Sequence, residues 1–258
     1  MAIHPTAIVD REANISSDAE IGPYCIIGSG VSIAAGTRLL AHVYMEGKLT
    51  VGKDNLFYPY SSCGVAPQDK KYRGEPSETQ IGDGNTVREF VTINRGTEGG
   101  GMITSIGDGN LLMAYVHVAH DVIIHNRTII GNGVTFAGHI TVEDNANISG
   151  LTAIHHYCRI GRHSIIGSRS VIKQDVLPYS ITASGHEAEV FGANRVGLER
   201  SGYSNSSIES LQNAFRILTR AGLNTTQAIS RIEEELPATE EIATLIAFIR
   251  QSQRGFVK

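Results

Sequence analysis

Tryptophan is absent from this chain, aromatic residues make up only 6%, and 258 residues include just seven prolines and three cysteines. Each shortage excludes something. A core without large rings must be narrow and assembled from stacked small and aliphatic residues. The cysteines, Cys25, Cys63 and Cys158, are odd in number and lack metal-type spacing, so neither a disulfide framework nor a thiolate metal site is expected, and they read as buried fillers. No apolar run approaches the ~20 residues of a membrane span, so no integral membrane segment is expected. The opening MAIHPTAIVD lacks a basic stretch followed by an apolar one, so it is no secretory signal and the expected location is cytoplasmic. Net charge is −4 and no nucleic-acid motif is present, so no nucleic-acid partner is expected. The charge is uneven: residues 1–158 hold 10 Lys+Arg against 16 Asp+Glu, and residues 159–258 hold 12 against 10. The acid-free segment 159–173, with Arg159, Arg162, Arg169 and Lys173, reads either as a solvated face or as a docking patch for an acidic partner.

What is present is a beat of six. Aliphatic residues recur at Ile3, Val9, Ile15, Ile21, Ile27, Ile33, Leu39, Met45 and Val51, with Phe57 and Cys63 as substitutes. The beat resumes at Ile81, Val87 and Ile93, then runs unbroken from Ile106 to Ile172. Such a period is neither helical nor simple strand alternation; it marks a solenoid of repeats. Many of the aliphatics are followed by Gly, and Asn, Asp or Gly often stands late in the hexad, where the backbone must turn; these are expected as corner residues. Three hexads make a triangular coil of 18 residues, and coils stack at about 4.7–4.9 Å. The expected fold is mainly β, a parallel β-helix over 1–187, followed by a C-terminal helical unit over 188–258.

Two polar, glycine-rich stretches, 64–80 and 94–105, interrupt the beat. Face counting puts Cys63, Ile93, Val118, Phe136 and Ile154 on one face, so both loops leave from the same edge in successive coils. Long loops on a rigid scaffold commonly carry function. From about Tyr203 the pattern turns helical. Ser204 or Ser206 can cap a helix carrying Ile208, Leu211, Phe215 and Leu218, Asn224 or Thr225 a second ended by Pro237, and Thr239 a third.

Seven of the ten histidines fall between 117 and 163, so the coil can be used to ask which of them meet. Counting by 18 puts His120, Gly138 and His156 in one column, Asp121 and His139 in the next, and His155 beside them. All converge on the face carrying both loops. Gly138, lacking a side chain, leaves a slot beside His120 and its N–H within reach of a ligand. Three readings compete: inert surface histidines, a zinc site, or acid–base chemistry by a histidine held in one tautomer by a carboxylate. The His120/His125 pair is superficially similar to the zinc histidines of γ-class carbonic anhydrases, but Gly84, 36 residues earlier, offers no third ligand. Acid–base chemistry carries the most weight, and no metal is expected.

The segment NLLMAYVHVAHDVIIHNRTIIGNGVTFAGHITVEDNANISGLTAIHHYCRIG (110–161) resembles the UDP-N-acetylglucosamine 3-O-acyltransferases, as do QDKKYRGEP (68–76), TINRGTEGGG (92–101) and GLERSGYS (197–204). The resemblance spans nearly the whole chain. It implies a left-handed β-helix, assembled as a homotrimer with active sites between subunits. It also implies transfer of a 3-hydroxyacyl chain from acyl carrier protein to the glucosamine 3-OH of UDP-N-acetylglucosamine, the first step of lipid A synthesis. No cofactor is implied beyond the phosphopantetheine arm that carries the acyl group. By resemblance, His120 is the general base, Asp121 its orienting acid and Gly138 the oxyanion donor. His117, His139 and His155 line the substrate pocket. Gln68, Asp69 and Lys71 on the first loop contact sugar and phosphate, and Asn194 and Arg200 contact the nucleotide. His156 stands where Gln is common and Asn94 where His is often seen; both are expected to tune substrate contacts. Ser168 stands where residue size limits the acyl chain. A sugar N-acyl- or acetyltransferase, a zinc anhydrase and a non-catalytic trimeric scaffold are the rival readings.

Overall fold

The computed structural model describes residues 2–184 and 188–258. The boundary expected after 187 falls on a residue outside the described ones. Among the described residues the hexads form strands mostly of two residues, wound into three sheets of 11, 9 and 8 strands that are parallel except for the last strand of the first. Face A begins at Ala2–Ile3, face B at Ile8–Val9 and face C at Asn14–Ile15. The register is 18 residues per coil, as in His117↔Thr135 and Thr135↔Ala153 on face B. In each hexad the aliphatic residue points inward, and Ile21, Met45, Phe57, Leu112, Phe136 and Ile160 are at most 1% exposed. Cys25, Cys63 and Cys158 are buried and free, and burial holds the Cys63 thiol up at about 12 and the Cys158 thiol at about 11.

The late-hexad residues expected at corners are found there, with left-handed backbone at Gly36, Asp54, Gly84, Gly109, Gly133 and Asn145. The glycines that directly follow the aliphatics do not turn the chain; they allow close stacking of coils. A Cβ on Gly22 would stand 1.8 Å from the Leu40 carbonyl oxygen. The turn is made three residues after the inward aliphatic, where the backbone is left-handed even for bulky side chains: Tyr24 (φ 57°), Tyr60 (65°), Phe90 (60°), Asp121 (60°), His139 (62°) and Tyr157 (64°). That conformation costs about 1–2 kcal/mol per residue. Stacking offsets it. Tyr24, His42, Tyr60, Phe90 and Tyr115 form a ladder with centroids 4.9–5.1 Å apart and planes within 15°, and such contacts return about 0.5–1.5 kcal/mol each.

Both interruptions leave face B and return on face C, so they share the B-to-C edge as counted. The strands run further into them than expected: Ser62–Val65 resumes at Glu78–Ile81, and Thr92–Asn94 at Ile103–Ile106. The loops proper are 66–77 and 95–102. Gly84 follows a face C strand and lies on the C-to-A corner, because the insertions break the 18-residue count. It was never in the column of His120.

Beyond Ile172 the sequence pattern gave no regular element before Tyr203, yet an antiparallel pair, Ser180–Ser184 with Ala188–Ala193, extends face A, and a short helix, α1 (Arg195–Arg200), follows. Three longer helices then arrive as expected. Ser204 caps α2 (Asn205–Arg220), Asn224 with Gln227 forms a capping box on α3 (Thr225–Glu235), and Thr239 caps α4 (Glu240–Gln251). Their apolar faces close on a second core with Leu177 and Tyr179. The chain end returns to the β-helix, where Val257 N–H donates to the Asp175 carbonyl at 2.9 Å.

Candidate active site

On the B-to-C corner, His120 and Asp121 are consecutive residues. Asp121 occupies the left-handed position, which turns its carboxylate back onto its neighbour. His120 Nδ1 lies 2.7 Å from Asp121 Oδ2, with the carboxylate 1% and the imidazole 11% exposed. The second loop completes the carboxylate's surroundings. Thr97 N–H donates to Oδ1 at 2.8 Å and its hydroxyl to Oδ2 at 2.5 Å, while Asp121 N–H donates to the Thr104 hydroxyl at 2.8 Å. The carboxylate takes three donors, and its contact with Nδ1 orients the imidazole with that nitrogen as the donor, leaving the Nε2 lone pair to take a proton. Thr97 and Thr104 were missed in the sequence. The available signal was that the second loop leaves the same edge as His120.

Gly138 stacks on this dyad. A Cβ there would stand 2.5 Å from His120 Cε1 and 2.8 Å from Nε2, so the slot foreseen beside His120 is filled by the imidazole itself, and no side chain fits. The Gly138 N–H, expected to be open to a ligand, instead donates to His156 Nδ1 at 3.1 Å. His139 packs edge-on to His120 and flat on Tyr157, with Nδ1 3.8 Å from Asp121 Oδ2. Burial pushes its pKa below the ordinary value, partly countered by the Asp121 charge. His155 is edge-on to His156 with centroids 5.4 Å apart. His117, one strand earlier on face B, shares a 2.7 Å hydrogen bond with Thr92, and burial lowers its pKa too.

The first loop reaches the same place. Asp69 accepts from Lys71 N–H at 2.9 Å, and that bond, together with the nearby His120 and His139, lowers the pKa of its carboxyl. Gln68 and Lys71 are exposed beside it. Asn94, buried at 1% exposure, donates to the Ala66 carbonyl at 3.1 Å and so ties the two loops together.

Three expected site residues lie elsewhere. Ser168 is exposed on the A-to-B corner. Asn194 caps α1 through Oδ1 and donates to the His163 carbonyl at 2.9 Å, on the C-to-A side. Arg200 is exposed at the end of α1. Within one chain the dyad and these residues lie in different places. The basic segment is also narrower than its sequence: Arg159 and Arg162 pair with Glu143 at 3.3 and 3.8 Å, and Arg159 lies over the Phe248 ring. Arg169 and Lys173 make no ion pair among the described residues.

By distance, His120, Asp121 and His139 could hold a metal, their donor atoms lying within 4.8 Å of one another. The donors are spent internally: Asp121 Oδ2 takes the Thr97 hydroxyl and His120 Nδ1, and Oδ1 takes the Thr97 N–H. The set suits a proton-transfer dyad better than a cation.

A family model described as Udp N-acetylglucosamine O-acyltransferase, domain 2, matches residues 175–257, and one for bacterial transferase hexapeptides matches 103–138. The chain is 46% identical over 256 residues to the acyl-(acyl-carrier-protein)–UDP-N-acetylglucosamine O-acyltransferase of Thermodesulfovibrio yellowstonii, covering 99% of each. It is similar to the crystal structure of LpxA, a UDP-N-acetylglucosamine acyltransferase from Bacteroides fragilis, with TM-score 0.97 and 40% identity over 99% of this chain and 100% of that one. The Francisella novicida UDP-N-acetylglucosamine acyltransferase superposes with TM-score 0.94 at 33% identity, over 99% and 93%. These likenesses identify the three-faced coil as a left-handed parallel β-helix. With identity of this extent along the whole length, the chain belongs to the acyl-(acyl-carrier-protein)–UDP-N-acetylglucosamine O-acyltransferase family.

Proposed function

We propose that this chain transfers an (R)-3-hydroxyacyl group from acyl carrier protein to the glucosamine 3-OH of UDP-N-acetylglucosamine, the first step of lipid A synthesis. The single observation that carries the mechanism is the His120 Nδ1–Asp121 Oδ2 contact of 2.7 Å, with Gly138 lying against the Cε1 side of the ring. His120 Nε2 takes the proton of the 3-OH as the sugar oxygen forms a bond to the thioester carbon. The carbonyl electrons move onto oxygen, and the Gly138 N–H receives that charge; one such donor is worth roughly 10²–10³ in rate. Collapse breaks the carbon–sulfur bond, and the thiolate leaves with the proton from His120. No side-chain nucleophile is needed, because the thioester is already activated, and no cofactor is called for beyond the donor's own arm.

The remaining assignments belong to the same proposal. Asp69, with Gln68 and Lys71, contacts the sugar and phosphates beside the dyad. His117, His139 and His155 line the pocket. Asn194, Arg200 and Ser168 lie elsewhere in the chain, which supports a homotrimer in which a neighbour brings them to the dyad for nucleotide binding and acyl-length selection. Two apolar clusters support a division into a β-helix and a helical unit, but not its placing at 187/188: Leu177 and Tyr179 belong to the second cluster, and the strand Ala188–Ala193 still extends face A. A cytoplasmic location fits a soluble carrier-protein donor. The test is His120→Ala: transfer from hydroxyacyl carrier protein should fall at least 10³-fold while trimer formation and nucleotide binding persist. Activity near that of the unaltered protein would end the assignment.

A further inference from the structure

The group that must receive the oxyanion is already engaged. Gly138 N–H donates to His156 Nδ1 at 3.1 Å, so in this arrangement Nδ1 carries no proton and the neutral ring holds its proton on Nε2. Other N–H groups of the stack point along the ladder: Ala137 N–H donates to the Ile154 carbonyl and His139 N–H to the His120 carbonyl. Gly138 N–H is met by a side chain of the next coil and not by a ladder carbonyl. His156 is exposed, so its ring can turn away.

We propose that His156 is a proton-operated cap on the oxyanion donor. Neutral His156 occupies the Gly138 N–H and competes with the thioester carbonyl for it. Protonation at Nδ1 turns that acceptor into a donor; two N–H groups then face each other, the cap opens, and the imidazolium offers its own N–H to the same developing oxygen charge. The proton comes from solvent and remains on His156 through the transfer, so the balance of the acyl step is unchanged. His120 acts in its neutral form and His156 in its charged form, so one column of the coil holds the two opposite limbs of a pH profile.

The rings against His156 are His155 and Tyr157 on its own coil, and His139, one coil before, feels its charge. Two carboxylates, Asp121 and Asp69, act on His139 in turn, so the charged groups of this cluster are of both signs. A glutamine at 156 could also cap the N–H, but its amide does not titrate.

This inference rests on the transferase reading, and its test separates the two. The kcat of the unaltered protein should show a high-pH limb falling tenfold per pH unit. His156→Gln should lose that limb and keep the low-pH limb set by His120. Superimposable profiles for the two proteins would overturn the proposal. A measurement without substrate stands beside it: in nitrogen-15 spectra of the unaltered protein, the Gly138 amide and the His156 ring should shift with one common midpoint. A Gly138 amide that ignores the His156 titration would overturn it as well. If the unaltered protein acylates no UDP-N-acetylglucosamine at any pH, the transferase reading fails, and the amide titration still decides the cap.

Discussion

Replacing Gly138 with alanine places one methyl group against the base. That Cβ would stand 2.5 Å from His120 Cε1, 2.8 Å from Nε2 and 3.0 Å from Nδ1. Carbon atoms settle at about 3.5–4.0 Å, so the ring must retreat by roughly 1 Å. It cannot do so freely, because Nδ1 is bonded to Asp121 and the His139 edge lies against the ring. A misplacement of about 1 Å costs around 10²-fold in rate. The backbone is not left-handed at 138, so alanine carries no conformational penalty, and its N–H remains as an oxyanion donor. The expected result is a kcat about 10²-fold lower at saturating hydroxyacyl carrier protein, with nucleotide affinity and Tm near those of the unaltered protein. A kcat within threefold would refute the argument that the ring occupies the space beside Gly138.

Thr97→Val removes the hydroxyl that donates to Asp121 and keeps the N–H; a hydrogen bond to a charged group is worth about 1.5–3 kcal/mol, so kcat should fall by about tenfold or more, with Thr97→Ser restoring it. Unchanged pH–rate profiles for Thr97→Val would deny the loop its part in setting the dyad. Burial lowers the pKa values of His117, His139 and His163 from an ordinary 6.5. The unfolded chain therefore binds more protons than the folded one as pH drops below 6.5, and stability should fall across that window and stay level above it. A Tm that holds steady or rises on going from pH 7 to 5 would contradict this. Reversing Arg169 and Lys173 to glutamate should raise the KM for the carrier-protein donor several-fold, most at low salt, and leave kcat alone; an unchanged KM would remove the docking patch.

The beat of six made most of the fold legible, because each strand has a single inward residue and the coil length follows from three faces. It also placed His120, Asp121, Gly138, His139 and His156 together before any coordinate was known. It could not reveal that Tyr60, Phe90 or Tyr157 would take left-handed corners, since propensity assigns those to Gly, Asn and Asp, and stacking between coils is a non-local term. Glu143 opposite Arg159 and Arg162 was countable, 18 residues before Gly161, but was hidden by reading charge along the chain rather than across coils. Ser168, Asn194 and Arg200 entered through family likeness rather than geometry; Ser168 lies on another corner of the coil, and Asn194 and Arg200 lie at the two ends of α1. The strand pair around 180–193 carries no hexad signal and follows no 18-residue rule. The Thr97 contacts and the His156 cap depend on a loop path and a side-chain direction, which no period encodes.

The central claim is the reaction itself. The most direct test is mass spectrometry of the nucleotide after incubation with a mixture of (R)-3-hydroxyacyl carrier proteins and UDP-N-acetylglucosamine. The account predicts a gain of one hydroxyacyl group on the sugar nucleotide, held as a base-labile ester on the 3-oxygen, and no gain with His120→Ala. An unmodified nucleotide, or acetylation from acetyl-CoA in its place, would contradict it.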